Sequence, residues 1–306
     1  MRRMKRALPA LLALSLVFLA ACGGGEDGPD EPAEEREGSS GAASFDQPFT
    51  DASFYPVIAS SEIVVGENRF LVGLLDDKDA PVANPKIDMH ISFYDLGESA
   101  EAPVSETDMR FIWIQRPYQG IYVGEAEFDA PGKWGAEVTI TGDGADERLR
   151  AGFQVEARAT TPAIGDPAPS VDTPTAADVN GRLSKISTDP KPDPDFYELS
   201  VDQAISAESP FVVAFATPKF CASQTCGPTL QIVKEVADDF PKVNFLHVEP
   251  YELPAEATNL EPVRSVTEWG LPTEPWVFVV DGRGNVAAKF EGAISVPELG
   301  RALSEL

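Results

Sequence analysis

The chain has 306 residues, and its 24 lysines and arginines are outweighed by 50 aspartates and glutamates, for a formal charge of −26 at neutral pH. That excess of negative charge repels phosphate backbones and anionic head groups, which argues against nucleic-acid binding and against electrostatic docking on a membrane. A chain of this length has room for about two domains of roughly 100–200 residues each.

Residues 1–21 run from a basic start (Arg2, Arg3, Lys5, Arg6) through an apolar stretch to Leu19-Ala20-Ala21, just ahead of Cys22. This order reads as a secretory signal and is set aside from the fold. Small residues before a cysteine, followed by Gly23-Gly24-Gly25, resemble the lipobox of bacterial lipoproteins. The resemblance implies cleavage before Cys22, acylation of that residue and a lipid anchor on the outer side of a cell membrane. Removal of the leader takes away four basic groups and no acidic one, moving the charge to −30. Residues 22–44 are Gly, Pro, Glu and Ser with almost nothing to bury, and read as a disordered acidic tether.

From residue 45 to 160 apolar residues recur with period two (EIVVGENRFLVGLLD, KIDMHISFYDL, MRFIWI, GIYVGEAEFD, KWGAEVTIT, LRAGFQVEA), broken by turn residues such as Asn84-Pro85 and Gly142-Asp143-Gly144. Six or seven short strands at this spacing predict an antiparallel β-sandwich. The stretch GIYVGEAEFDAPGKWGAEVTI resembles the closing strands of immunoglobulin-like modules of bacterial envelope proteins. Residues 161–195, rich in Pro, Asp and Thr, read as a linker. Within it Ile164-Gly165-Asp166-Pro167-Ala168-Pro169 is similar to the entry segment of peroxiredoxins, envelope thioredoxin-like reductases and Sco-type copper chaperones.

From 196 to 306 the rhythm changes to a helix (ELSVDQAISA), a buried strand (PFVVAFA), a cysteine segment, a helix (LQIVKEVADDF), a strand (VNFLHVE), two closing strands (WVFVVD, VAAKFEG) and a last helix. Strand, helix, strand, hairpin and helix in that order resemble a thioredoxin-like domain. The fold class expected is therefore two-domain: an N-terminal all-β immunoglobulin-like sandwich followed by an α/β thioredoxin-like domain.

Cys221 and Cys226 fall where the buried strand gives way to a helix. A helix N-terminus offers unpaired amides and partial positive charge, which favour thiolate, the attacking species. Four residues separate the two cysteines. On a continuous helix residues five apart would have Cα atoms roughly 8–9 Å apart, beyond disulfide reach. The helix is therefore expected to begin near Cys226, with Pro228 in its first turn and Cys221 in the preceding loop. The family resemblance implies Cys221 as nucleophile and Cys226 as resolving thiol, whereas position on the helix start alone would activate Cys226. By the same resemblance Pro275 matches a cis proline facing the cysteines, and Thr273, Glu274 and Pro275 form a substrate-binding loop.

The expected activity is membrane-anchored, extracytoplasmic thiol-disulfide exchange with envelope protein substrates or a redox partner. The alternatives are a redox-inert binding lipoprotein with a structural disulfide, a thiol peroxidase and a Sco-like copper chaperone. A peroxidase needs a hydroxyl three residues before its nucleophile, where this chain has Pro218, with Thr217 one place off and Arg264 as the candidate guanidinium. Copper needs imidazole beside two thiolates; His90 and His247 both fall in predicted strands. Neither a metal nor an organic cofactor is expected.

Overall fold

The computed structural model describes residues 44–47, 49 and 52–306; the leader, Cys22 and nearly all of the tether lie outside them. Seven strands come first: β1 Phe54–Ile58, β2 Gly66–Asp76, β3 Asp88–Asp95, β4 Ser105–Gln115, β5 Gln119–Phe128, β6 Gly132–Gly142 and β7 Ala145–Val155. They pair antiparallel in the order β1-β2-β5-β4-β3-β6-β7. Strand β4 lies against β3 through residues 105–109 and against β5 from Arg110 onward, so it turns from one neighbour to the other halfway along its length. The two ends of the sheet approach each other where the Val65 N–H donates to the Glu156 carbonyl (3.0 Å) and the Glu156 N–H to that of Ile63 (2.9 Å). The result is one sheet rolled nearly into a barrel.

Its interior is aromatic. Phe93 meets Phe70 at 5.1 Å and Phe128 at 5.3 Å between ring centroids, both edge to face, and Phe128 meets Trp134 at 4.8 Å. Edge-to-face contact places the positive rim of one ring against the negative face of the next. The two polar handles inside are satisfied: the Trp134 indole donates to the Ala130 carbonyl (3.0 Å) and the Tyr122 hydroxyl to that of Ile87 (3.2 Å).

The second half holds helix α1 Val201–Ser206, strand β8 Phe211–Phe215, helix α2 Cys226–Ala237, strand β9 Asn244–Val248, helix α3 Arg264–Glu268, strands β10 Trp276–Val280 and β11 Val286–Glu291, and helix α4 Val296–Ser304. The four strands order as β11-β10-β8-β9, with β8 and β9 parallel and the other pairs antiparallel. Every residue of β8 and β10 is buried, because both faces of the sheet are covered. Val212 and Ala214 pack with Leu230, Val233 and Leu299 on one side, and Phe211, Val213 and Phe215 pack with Trp269 and Phe278 on the other. A strand covered on both sides reads as an unbroken apolar run, as FVVAF does.

Two of the fold expectations are corrected here. Instead of an immunoglobulin-like sandwich beside an α/β thioredoxin-like domain, the described residues are mainly β, in two sheets with four helices. The first sheet is continuous because β4 serves both of its halves. The helices have 6, 12, 5 and 9 residues, too little for an α/β layering. Proline is the physical cause in one crossing: Pro250, Pro254 and Pro262 between β9 and β10 exclude helix until α3, and Pro272 and Pro275 follow closely.

Residues 161–195 do not hang free. The Gly165 N–H donates to the Val286 carbonyl (2.8 Å) and the Val286 N–H to that of Asp166 (2.9 Å), laying the entry segment along β11, and Ala168 and Val171 are buried beneath it. The described residues form one compact unit, and the joint between the two sheets is largely ionic. Glu62 takes the Lys289 ammonium (2.7 Å) and the Thr160 N–H (2.9 Å), while Glu298 takes Arg69 (3.0 Å) and Arg110 (3.2 Å). A small apolar cluster of Leu71, Ile112, Ile121 and Val123 with Ala293 completes it. Gly270 sits at the same joint with φ +62°, and a Cβ there would collide with the Thr160 carbonyl.

Candidate functional site

Cys221 and Cys226 form a disulfide, with Cα atoms 6.0 Å apart. Helix α2 begins at Cys226, so the five-residue separation is met by a loop and not by a helical turn. The loop is built locally. The N–H groups of Phe220 and Cys221 donate to the Thr217 carbonyl (3.3 and 3.1 Å), and Gln224 turns the chain at φ +59°. Pro228 lies in the first turn of α2, where its missing N–H removes a donor that has no intrahelical acceptor.

The two sulfurs differ in surroundings. Cys226 is fully buried, whereas Cys221 is half-buried. Thr225, the residue preceding α2, gives its helix no side-chain cap. The Cys226 N–H donates to the Cys221 sulfur instead, at 3.2 Å. The Ser223 hydroxyl stands 3.3 Å from the same sulfur and is itself 2.6 Å from the Thr225 hydroxyl. On reduction these donors and the helix terminus would all face Cys221, and each favours a negative charge there.

The bond between Glu274 and Pro275 is cis. Pro275 is buried; the Glu274 carboxyl reaches the disulfide, with one of its oxygens and the two sulfurs all within 4.8 Å of one another. Thr273 turns away, its hydroxyl 3.0 Å from that of Ser61 and 3.3 Å from the Glu291 carboxylate, so it belongs to the joint between the sheets. Burial pushes the Glu274 carboxyl above the usual carboxylate range, opposed by a hydrogen bond from the Tyr251 hydroxyl at 3.0 Å. Burial beside that carboxylate pushes the Tyr251 hydroxyl up to about 12, so it stays a donor. Behind them Glu249 is also raised, by burial first and by the Glu274 charge among the smaller causes. One of its oxygens accepts from the Thr188 N–H (2.7 Å) and hydroxyl (2.8 Å); the other is buried without a partner.

The remaining candidates lie elsewhere or are committed. His90 is on β3, 2.7 Å from Asp108. His247 is buried on β9, with Nε2 2.8 Å from the Ala216 carbonyl and Nδ1 2.6 Å from the Tyr197 hydroxyl, and burial pulls it down to about 4. Arg264 is exposed and paired with Glu268 at 3.3 Å. Thr217 is buried, its hydroxyl 3.4 Å from that of Thr188. Sequence reading missed Tyr251, Glu249 and the Glu274 side chain, because HVEPYE and TEP are distant in the chain and meet only through the sheet. It also missed Gln119, whose amide donates to the Ser223 carbonyl at 3.2 Å and brings the first sheet against the cysteine loop.

Fold and site together define a class: a mainly β protein of two joined sheets with a disulfide at a strand-to-helix junction and a carboxyl group beside it. No family model and no curated protein matches the chain. Among solved structures, a DUF4426 family protein from Pseudomonas aeruginosa aligns over 37% of this chain and 97% of its own at 10% identity, with a TM-score of 0.25, too low to carry an argument about fold or function.

Proposed function

We propose that this protein exchanges disulfides with protein substrates, with Cys221 as the attacking thiol and Cys226 as the resolving one. The observation that carries the reading is the contrast between the sulfurs: Cys221 is half-buried and accepts the first amide of α2, while Cys226 is fully buried behind it. In the reduced state a thiolate at Cys221 attacks a substrate disulfide, and Cys226 then displaces the substrate from the mixed disulfide. Placement outside the cytosol, held at a membrane through a lipid on Cys22, belongs to the same proposal and rests on the leader sequence. It would let the pair meet disulfide-bearing substrates.

Trapping tests it. Cys226→Ser should accumulate mixed disulfides through Cys221, and the Cys221→Ser chain should not; an empty trap in both would remove the exchange reading. A reduction potential above about −300 mV is expected, since structural disulfides typically lie below that value. A lower value would favour a permanent staple.

A further inference from the structure

Exchange leaves a proton to be placed. For Cys226 to displace the substrate, its thiol must ionise, yet the residue has no exposed surface. We propose that the Glu274 carboxylate accepts that proton, which makes Glu274 a further catalytic residue of the exchange site; the inference rests on the exchange reading above.

The geometry supports it in three ways. A Glu274 oxygen lies within 4.8 Å of both sulfurs of the disulfide, a separation that one bridging water or a small shift on reduction would close. The Tyr251 hydroxyl donates to Oε2 of the same carboxyl at 3.0 Å, which orients it beside the sulfurs. Glu274 is itself only half-buried, so the proton has a way out to solvent that Cys226 lacks. A carboxyl group raised by burial is also the better base, because its proton affinity is closer to that of a thiol.

Other groups near the pair do not serve. The Ser223 and Thr225 hydroxyls are not bases. Both nitrogens of His247 are engaged, by Ala216 and Tyr197. Glu249 faces Glu274 from the segment after β9 but stands outside the cluster of two sulfurs and a carboxylate. Tyr251, Glu249 and the two cysteines are thus the titratable groups around Glu274, and no cation contributes to its ionisation.

The step balances. The Cys226 S–H proton passes to the Glu274 carboxylate, the freed sulfur attacks Cys221 in the mixed disulfide, and the Cys221–Cys226 bond forms as the Cys221–substrate bond breaks. The departing substrate thiolate takes up the proton from Glu274 or from solvent. The substrate disulfide gains two electrons and the cysteine pair loses them.

The test uses the full chain, reduced, and a chromogenic aromatic disulfide that releases one coloured thiolate when Cys221 attacks and a second when Cys226 resolves. In Glu274→Gln the second release should slow about 100-fold relative to the first release of the same variant, the lower end of general-base effects. The slow phase should recover only as pH approaches the free-thiol value of about 8.5. Tyr251→Phe, which removes the bond that lowers Glu274, should move the wild-type inflection of the second phase to higher pH. An unchanged second phase in Glu274→Gln would overturn the proposal. Should that variant fail to fold, an unmoved inflection in Tyr251→Phe overturns it. A wild-type chain that gives no first release would instead refute the exchange reading itself.

Discussion

Replacing Glu298 by glutamine tests whether the two sheets are held together by charge. Three hydrogen bonds and one further ion pair hold this carboxylate: Oε1 accepts from Arg69 Nε at 3.0 Å and lies 3.2 Å from Arg110 Nη2, and Oε2 accepts from the Ser295 N–H at 3.0 Å and hydroxyl at 2.6 Å. The Glu298 side chain is 9% exposed and that of Arg69 16%, whereas Arg110 is 54% exposed. Solvent screening discounts the Arg110 contact to well under about 1 kcal/mol. The buried Arg69 partner decides the magnitude, because losing one member of a buried pair costs about 3–5 kcal/mol. Glutamine also turns an NH2 toward the Ser295 N–H, placing donor against donor. The expected loss is roughly 3 kcal/mol, which for a folded unit of this size lowers Tm by roughly 6–12 °C, measured by thermal melting monitored by circular dichroism. Arg69→Met should cost less in Glu298→Gln than in the wild type. A loss below about 1 kcal/mol, or full additivity of the two changes, would refute the idea that this pair joins the sheets.

Two further outcomes concern acids and backbone. Burial raises Glu249 in the fold above its unfolded value, so the stability linked to its proton is complete below the unfolded value of 4.5 and is lost as pH rises through the folded one. Glu249→Gln should therefore melt higher than wild type at pH 8, by about 1 kcal/mol of stability, with the gap closing as pH falls toward 5; melting curves across that range decide it, and a lower melt at pH 8 would contradict the assignment. Gly270→Ala should cost roughly 2 kcal/mol in urea unfolding, since φ of +62° and the Thr160 carbonyl both oppose a Cβ; a neutral result would mean that the joint yields at that point.

Much of the strand pattern was legible, because one buried face imposes period two on a sequence such as GIYVGEAEF, and Tyr122, Ala126 and Phe128 do point into the first core. The start of α2 was legible as well, from Pro228 and the reach of a disulfide. The division of β4 between two partners was not, because strand pairing is a long-range choice that MRFIWI does not encode locally. Residues 161–195 looked like a linker by composition, yet Val171 and Ala168 pack without regular structure, which composition cannot distinguish from exposure. At the site, the cysteines announced themselves by spacing. The surrounding acids did not, since Glu249 and Tyr251 reach Glu274 only after β9 and β10 have taken places on either side of β8.

Glu62 gathers Thr160, Thr161 and Lys289 onto one carboxylate, so three distant stretches of chain close on a single side chain. Neither half could be traded for a homologous cassette without carrying its counterpart's residues along.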